Sequence, residues 1–182
     1  MLFILAGLVA GSTNFLIDDF SRENGRSALG TAWSMFTDRV MGGMSTAVSG
    51  FDLLEGRRCL RLRGEVSLDN NGGFIQVALP LLVDGGPFDA SAFQGVRLRV
   101  LGNGETYHIH LRTPDNTRPW QYYSAKFPSG GEWRWVDIPF ADFQPKNLRR
   151  PLDSSRLLRI ALVAIDREFR ADVAVSGLEF YR

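Results

Sequence analysis

Val96-Arg97-Leu98-Arg99-Val100-Leu101 (VRLRVL) runs through Gly102-Asn103-Gly104-Glu105 into Thr106-Tyr107-His108-Ile109-His110-Leu111-Arg112-Thr113 (TYHIHLRT). On both sides of the glycines, apolar and polar side chains alternate, the period of a strand with one buried face. Reading Gly102 to Glu105 as a four-residue loop predicts a hairpin in which Val100 faces Tyr107, Leu98 faces Ile109 and Val96 faces Leu111. Arg99 then faces His108, and Arg97 faces His110, on the other side. A slip of one residue would mix the two sets, so the pattern selects this pairing. A second connection over Thr113 to Trp120 would place Gln121 opposite Arg112 and Tyr123 opposite His110. The polar side of three neighbouring strands would carry Arg97, Arg99, His108, His110, Arg112, Gln121 and Tyr123, a platform of hydrogen-bond donors.

The same alternation recurs outward, in Cys59 to Leu68 (CLRLRGEVSL) and Arg134 to Phe140 (RWVDIPF). Phe15 to Phe20, Gly73 to Leu81, Leu157 to Ile165 and Ala171 to Tyr181 are apolar or β-branched runs of strand length. Loops rich in turn formers separate them, such as Asp84-Gly85-Gly86-Pro87 and Pro128-Ser129-Gly130-Gly131. Short strands at such spacing predict an all-β domain, an antiparallel sandwich or barrel. Only Leu157 to Ile165 has a helical alternative, and its β-branched Ile160, Val163 and Ile165 favour a strand.

With 182 residues, 45% of them hydrophobic, the chain has the length and apolar content of one domain with a true core. A net charge of +1 argues against a general nucleic-acid binder. The single cysteine, Cys59, excludes a disulfide framework and a multi-cysteine zinc site. Met1 to Ala10 is continuously apolar, about half the roughly 20 residues that span a bilayer. The first basic residue is Arg22, so of the parts of a secretory signal only the apolar stretch is plain, with Ala10-Gly11-Ser12 a weak cleavage candidate. The expectation is an apolar N-terminal segment (residues 1–14) ahead of one domain (residues 15–182), with a signal remnant or anchor as the alternative. Cytoplasmic residence, membrane-peripheral at most, is expected, with export as the alternative.

His108 and His110 sit two apart on a strand and point to one side, as a metal pair would, but no third ligand is specified. The cations expected across the hairpin would also oppose a metal. Like charges directly across strands are unfavourable, so the platform asks for a bound anion, an acidic partner or carboxylates from another strand. No G-x-S-x-G elbow is present, and the acidic pairs Asp18-Asp19 and Asp137 with Asp142 do not converge on one face. Catalysis, a metal and a cofactor are therefore not expected. The glycine pairs at Gly42-Gly43 and Gly72-Gly73 read as turns that need φ > 0. Trp133 and Trp135 face away from Val136, Ile138 and Phe140, where their rings could stack on a sugar or anchor a protein, or pack under a loop.

Leu16-Ile17-Asp18-Asp19-Phe20-Ser21, then Trp33, then Asp38 to Ser45 (DRVMGGMS), resembles the complex I intermediate-associated protein family. The likeness continues in Arg63 to Leu68, Asn70 to Phe74 (NNGGF), Phe93 to Val96, Tyr107 to Thr113 and Trp133 to Pro145. The resemblance implies a galactose-binding-like jelly-roll sandwich. It also implies a role like that of members that hold assembly intermediates of NADH:ubiquinone oxidoreductase without catalysing a reaction. Its signature falls on Trp33, Asp38, Met41, Gly42, Gly43, Ser45, Asn71, Gly72, Gly73 and Phe74. The expected function is thus a non-enzymatic protein-binding module, with a respiratory-complex subunit or intermediate as partner. Its anchors are the Asp38 to Ser45 and Asn70 to Phe74 loops and the Arg/His platform. The alternative is a carbohydrate- or small-anion-binding module using Trp133, Trp135, Tyr123 and Arg112.

Overall fold

The alternating runs become strands because each can bury one face. The computed structural model describes residues 13–182, and the Met1 to Ala10 stretch lies outside the described residues. Twelve strands are described: β1 (Phe15–Asp18), β2 (Ser34–Thr37), β3 (Thr46–Leu54), β4 (Arg57–Val66), β5 (Phe74–Pro80), β6 (Gly95–Gly102), β7 (Thr106–Arg112), β8 (Tyr122–Pro128), β9 (Arg134–Pro139), β10 (Gln144–Lys146), β11 (Arg159–Ile165) and β12 (Phe169–Tyr181). Among the described residues helix appears only as short 3-10 turns, such as Asp38–Met41 and Asp69–Asn71. None of the described residues forms a helix long and apolar enough to cross a membrane.

Two antiparallel six-stranded sheets face each other in a jelly-roll sandwich. The first runs β3-β4-β12-β6-β9, with β1 also paired to β12, and the second runs β10-β8-β7-β11-β5-β2. Leu60, Leu62, Leu98, Val100, Val173 and Phe180 point inward from the first sheet, and Ile75, Val77, Ile109, Leu111, Phe127 and Leu162 from the second; all are buried. Along β12 the inward set changes phase, from Ala171, Val173 and Val175 to Leu178 and Phe180. A register shift between Val175 and Gly177 absorbs the extra residue, as a β-bulge does.

The expected hairpin between β6 and β7 does not form. β6 pairs with β12 and β9 in the first sheet, whereas β7 pairs with β8 and β11 in the second. The Gly102 to Glu105 segment therefore crosses from one layer to the other. It is held by Gly102 N–H donating to the Gly130 carbonyl and Asn103 N–H to that of Asp172, at 2.8 and 3.2 Å. Both strands keep their apolar faces inward as expected. Those faces meet across the core instead of lying side by side, which sends the two polar faces to opposite outer surfaces.

β2, β3 and β10 were not legible as strands. β3 is an edge strand whose side chains are almost all exposed, and β2 and β10 are four and three residues long. None of them carries a full buried stripe to announce it.

Candidate functional site

The donor platform is divided by the layer crossing. Arg97 and Arg99 lie on the outer face of the first sheet. Arg97 sits directly opposite Asp137 and donates to both its carboxylate oxygens, at 2.5 and 2.7 Å. Arg99 lies over the ring of Trp135, its cross-strand neighbour, at 4.6 Å. The like-charge conflict expected for these arginines is thus resolved within the fold. Trp135 is exposed, while Trp133 is half-buried with its indole N–H unpartnered. The double change Arg97→Glu with Arg99→Glu sets acids against Asp137 and Glu179. We expect it to cost about 1–2 kcal/mol in urea unfolding and to leave binding at the opposite sheet unchanged.

His108, His110 and Arg112 do share the outer face of the second sheet, but the β7/β8 register differs by one from the expected one. Leu111 faces Tyr123 and His110 faces Ser124. Tyr123 therefore points into the core, fully buried, and Tyr122 takes the outer position, its ring stacked on His110 at 4.0 Å and 14°. Gln121 is used locally: its carbonyl oxygen accepts from the N–H groups of Thr117 and Arg118, and its amide donates to the Asn147 carbonyl, all at 3.0–3.1 Å. It ties the 113–121 loop to the segment after β10. His108 bonds Ser124 Oγ at 2.8 Å, and its burial lowers its pKa despite the nearby Asp166.

Ser45, Gly43, Gly72, Gly73 and Phe74 of the signature converge on one carboxylate. Asp38 is fully buried; its Oδ1 accepts from Ser45 N–H at 3.0 Å and its Oδ2 from Ser45 Oγ at 2.5 Å. Oδ2 also accepts from Gly73 N–H at 2.6 Å and Phe74 N–H at 3.4 Å. Burial works against its charge, but these donors outweigh it and hold the pKa below the ordinary carboxylate range. A Cβ on Gly43 would lie 2.3 Å from Asp38 Cγ, and one on Gly72 would lie 2.4 Å from Asp38 Oδ2. The two glycine-rich loops are therefore two halves of one knot around Asp38. Asn71 completes the second loop in a left-handed conformation, φ 57°. Trp33 makes a separate tie, donating its indole N–H to Asp18 at 2.8 Å.

What the knot positions is the wall of a groove. The turn at Asp38–Met41 presents Val40 and Met41, and Phe74 opens β5, along one side of a cavity of about 710 Å³ on the outer face of the second sheet. The opposite wall is the 113–121 loop, with Pro119 and Trp120. The floor is read from the register. Ala161 and His110, which line it, lie in one row with Ala78 beyond them, and Arg159 faces Arg112 in the next. Small side chains on adjacent strands make the depression, and long ones at its margin close it. The lining includes Phe36, Gln76, Tyr122 and Asn147, and it contains no aspartate or glutamate. A volume of this size is that of a typical ligand cleft, about 300–1,000 Å³.

Arg159, Trp120, Tyr122, Phe36 and Gln76 were not anticipated as site residues. Trp120, a large aromatic inside a proline-containing turn and 54% exposed, carried a signal in the sequence. Arg159 and the alanine floor did not, because only the strand register brings them together.

Comparisons place this geometry. The sandwich is similar in fold to carbohydrate-binding modules of families 11 and 30. The family 11 module from Clostridium thermocellum, solved with a β-1,3-1,4-mixed-linked tetrasaccharide, is 12% identical over 92% of this chain and 95% of its own, with a TM-score of 0.69. The family 30 module of a cellulosomal cellulase of Clostridium thermocellum is 15% identical over 92% of this chain and 96% of its own, with a TM-score of 0.62. At such identities the likeness is one of fold. The chain itself belongs to the family described as complex I intermediate-associated protein 30, whose model matches residues 19–169. No curated protein matches the sequence.

Proposed function

We propose that this chain is a non-catalytic binding module that holds a segment of a partner protein in the groove of the second sheet. The partner we propose is a subunit or assembly intermediate of NADH:ubiquinone oxidoreductase. The family supports an assembly-factor-like role. The observation that carries the reading is the composition of the groove. Its lips, Val40, Met41 and Trp120, are apolar, and all three are more than half exposed. Its lining holds arginines without a single carboxylate. Methionine and tryptophan on an open rim suit a protein surface, since they bury large apolar area and adapt their shape. A neutral glycan offers hydroxyls but no charge to answer half-buried guanidinium groups.

The fold likeness to carbohydrate-binding modules, together with exposed Trp120 beside Tyr122, supports carbohydrate binding as the second reading. The test is capture of tagged full-length chain from native membranes, with blotting for NADH:ubiquinone oxidoreductase subunits and cross-linking from a photoreactive residue at position 120. Capture of those subunits, reduced roughly tenfold by Trp120→Ala without a change in melting, supports the protein reading. Trp120 is largely exposed, so its removal should cost the fold little. Retention on mixed-linked β-glucan that Trp120→Ala abolishes, with no respiratory subunit captured, would overturn it.

A further inference from the structure

Three arginines line the groove, Arg112, Arg118 and Arg159; none is paired with a carboxylate among the described residues, and two of them lie on the sheet itself. Arg112 and Arg159 stand directly opposite each other on β7 and β11, a like-charge pairing that is unfavourable in a sheet. Both are half-buried, and burial lowers the pKa of each, with the charge of Arg112 adding to the effect on Arg159. Guanidinium remains charged even so. Arg112 is held in place by carbonyls alone, donating to Asn116, Arg118 and Pro119 at 3.0, 2.9 and 3.3 Å. The Arg159 side chain makes no hydrogen bond or ion pair among the described residues; its guanidinium lies 5.9 Å from the ring centroid of Phe36. Two arginines of the other sheet differ: Arg61 and Arg97 each have a carboxylate partner.

A second observation points the same way. His110, in the next row of the same floor, is 7% exposed, and its Nε2 has no hydrogen-bond partner. One corner of the groove thus gathers two guanidinium groups and a neutral imidazole. Beside this corner Ala161, Val163, Ile165 and Phe74 form an apolar stretch, while Gln76, Thr117, Tyr122 and Asn147 add polar groups elsewhere in the lining. A ligand that satisfies both regions carries an anionic head and an apolar body.

We propose that Arg112 and Arg159 form a carboxylate-binding subsite, which receives an acidic side chain or the C-terminal carboxylate of the partner segment while its apolar side chains lie along Ala161 and Val163. This rests on the protein-binding reading of the groove. Arginine is suited to the role because its planar fork meets both carboxylate oxygens at once. A carboxylate there would convert the cross-strand repulsion into two attractions.

The test uses full-length protein and 3-phenylpropionate, a carboxylate with an apolar body, titrated while the arginine Nε–H resonances are followed by NMR. We expect saturable shifts of Arg112 and Arg159, roughly tenfold weaker binding in Arg159→Gln, partial recovery in Arg159→Lys, and no binding of 3-phenylpropionamide. Arg159→Gln is the diagnostic variant, because it removes no internal hydrogen bond, whereas Arg112 also organises the 116–119 loop. Equal binding of acid and amide, or no saturation, overturns the subsite. Tenfold preference for inorganic phosphate or for D-glucuronate overturns the carboxylate of a protein segment in favour of a phosphate or an anionic glycan. If phenylpropionate binds as expected but no respiratory subunit is captured, the partner reading falls and the subsite stands. If the partner binds the groove with full affinity in Arg159→Gln, the subsite falls and the groove reading stands.

Discussion

Asp38→Ala is expected to destabilise the chain by about 3–5 kcal/mol, the range for removing one side of a buried, charge-assisted network. The loss arises because the donors remain. Ser45 N–H, Ser45 Oγ, Gly73 N–H and Phe74 N–H all point at the vacated carboxylate, and the site is closed to water. For a domain of this size the melting temperature should fall by roughly 10 °C. Asp38→Asn should recover only part of this, since its amide nitrogen would face N–H donors. Ser45→Ala should cost about 1–2 kcal/mol, and the double variant with Asp38→Ala should cost less than the sum, because the two side chains share one bond. Calorimetry of the parent and the four variants checks the set. Additive losses would show that the loops are held independently, and the knot would then not be what unites the family signature. Loss of the knot should also weaken groove binding in protein that is still folded, because Val40, Met41 and Phe74 are placed by it.

The second large effect is acid sensitivity set by His110. Burial is the main cause that pushes its pKa down to about 3, with His108, Lys146 and Arg159 adding charge repulsion. In the unfolded chain the imidazole titrates near 6.5. Between those values the unfolded state binds the proton and the folded state does not, so stability rises with pH across the window and falls on acidification. The loss should reach roughly 3 kcal/mol by pH 4.5. His108, also lowered by burial, contributes in the same sense. Asp18, lifted by burial, acts in the opposite sense near its own titration. Asp38, held low, gives up stability only at lower pH than the histidines. His110→Gln removes the titration, so its unfolding free energy should vary less between pH 7 and pH 4.5. Parallel profiles for variant and parent would show that this imidazole is not the group responsible.

Several features of the fold were readable because they depend on one strand at a time. Alternation in Val96 to Leu101 and Thr106 to Arg112 identified both strands and their inward residues. The Leu157 to Ile165 run formed β11, as its β-branched residues implied. Pairing was another matter. Alternation states which side chains are buried, yet a strand buries the same face whether its neighbour in sequence lies beside it or across the core. Thus β6 and β7 were assigned to one hairpin and occupy two sheets. At β8 the ambiguity was Tyr122 against Tyr123, two adjacent tyrosines of equal character. Only the Tyr123 to Leu111 register decided which ring joins the core and which stacks on His110.

From its sequence alone, this protein is an all-β domain with buried alternating faces, two glycine loops tied to its family, and no visible catalytic constellation. Those properties follow from residue type and short-range spacing. The tertiary structure decided the site. It carried Arg97 and Arg99 to one outer face, where Asp137 and Trp135 answer them, and set Arg112 against Arg159 on the other. It also turned the signature loops into a knot around a single carboxylate. The physical reason is that a groove is made by register between strands distant in the chain, and register is a property of the packed sheet.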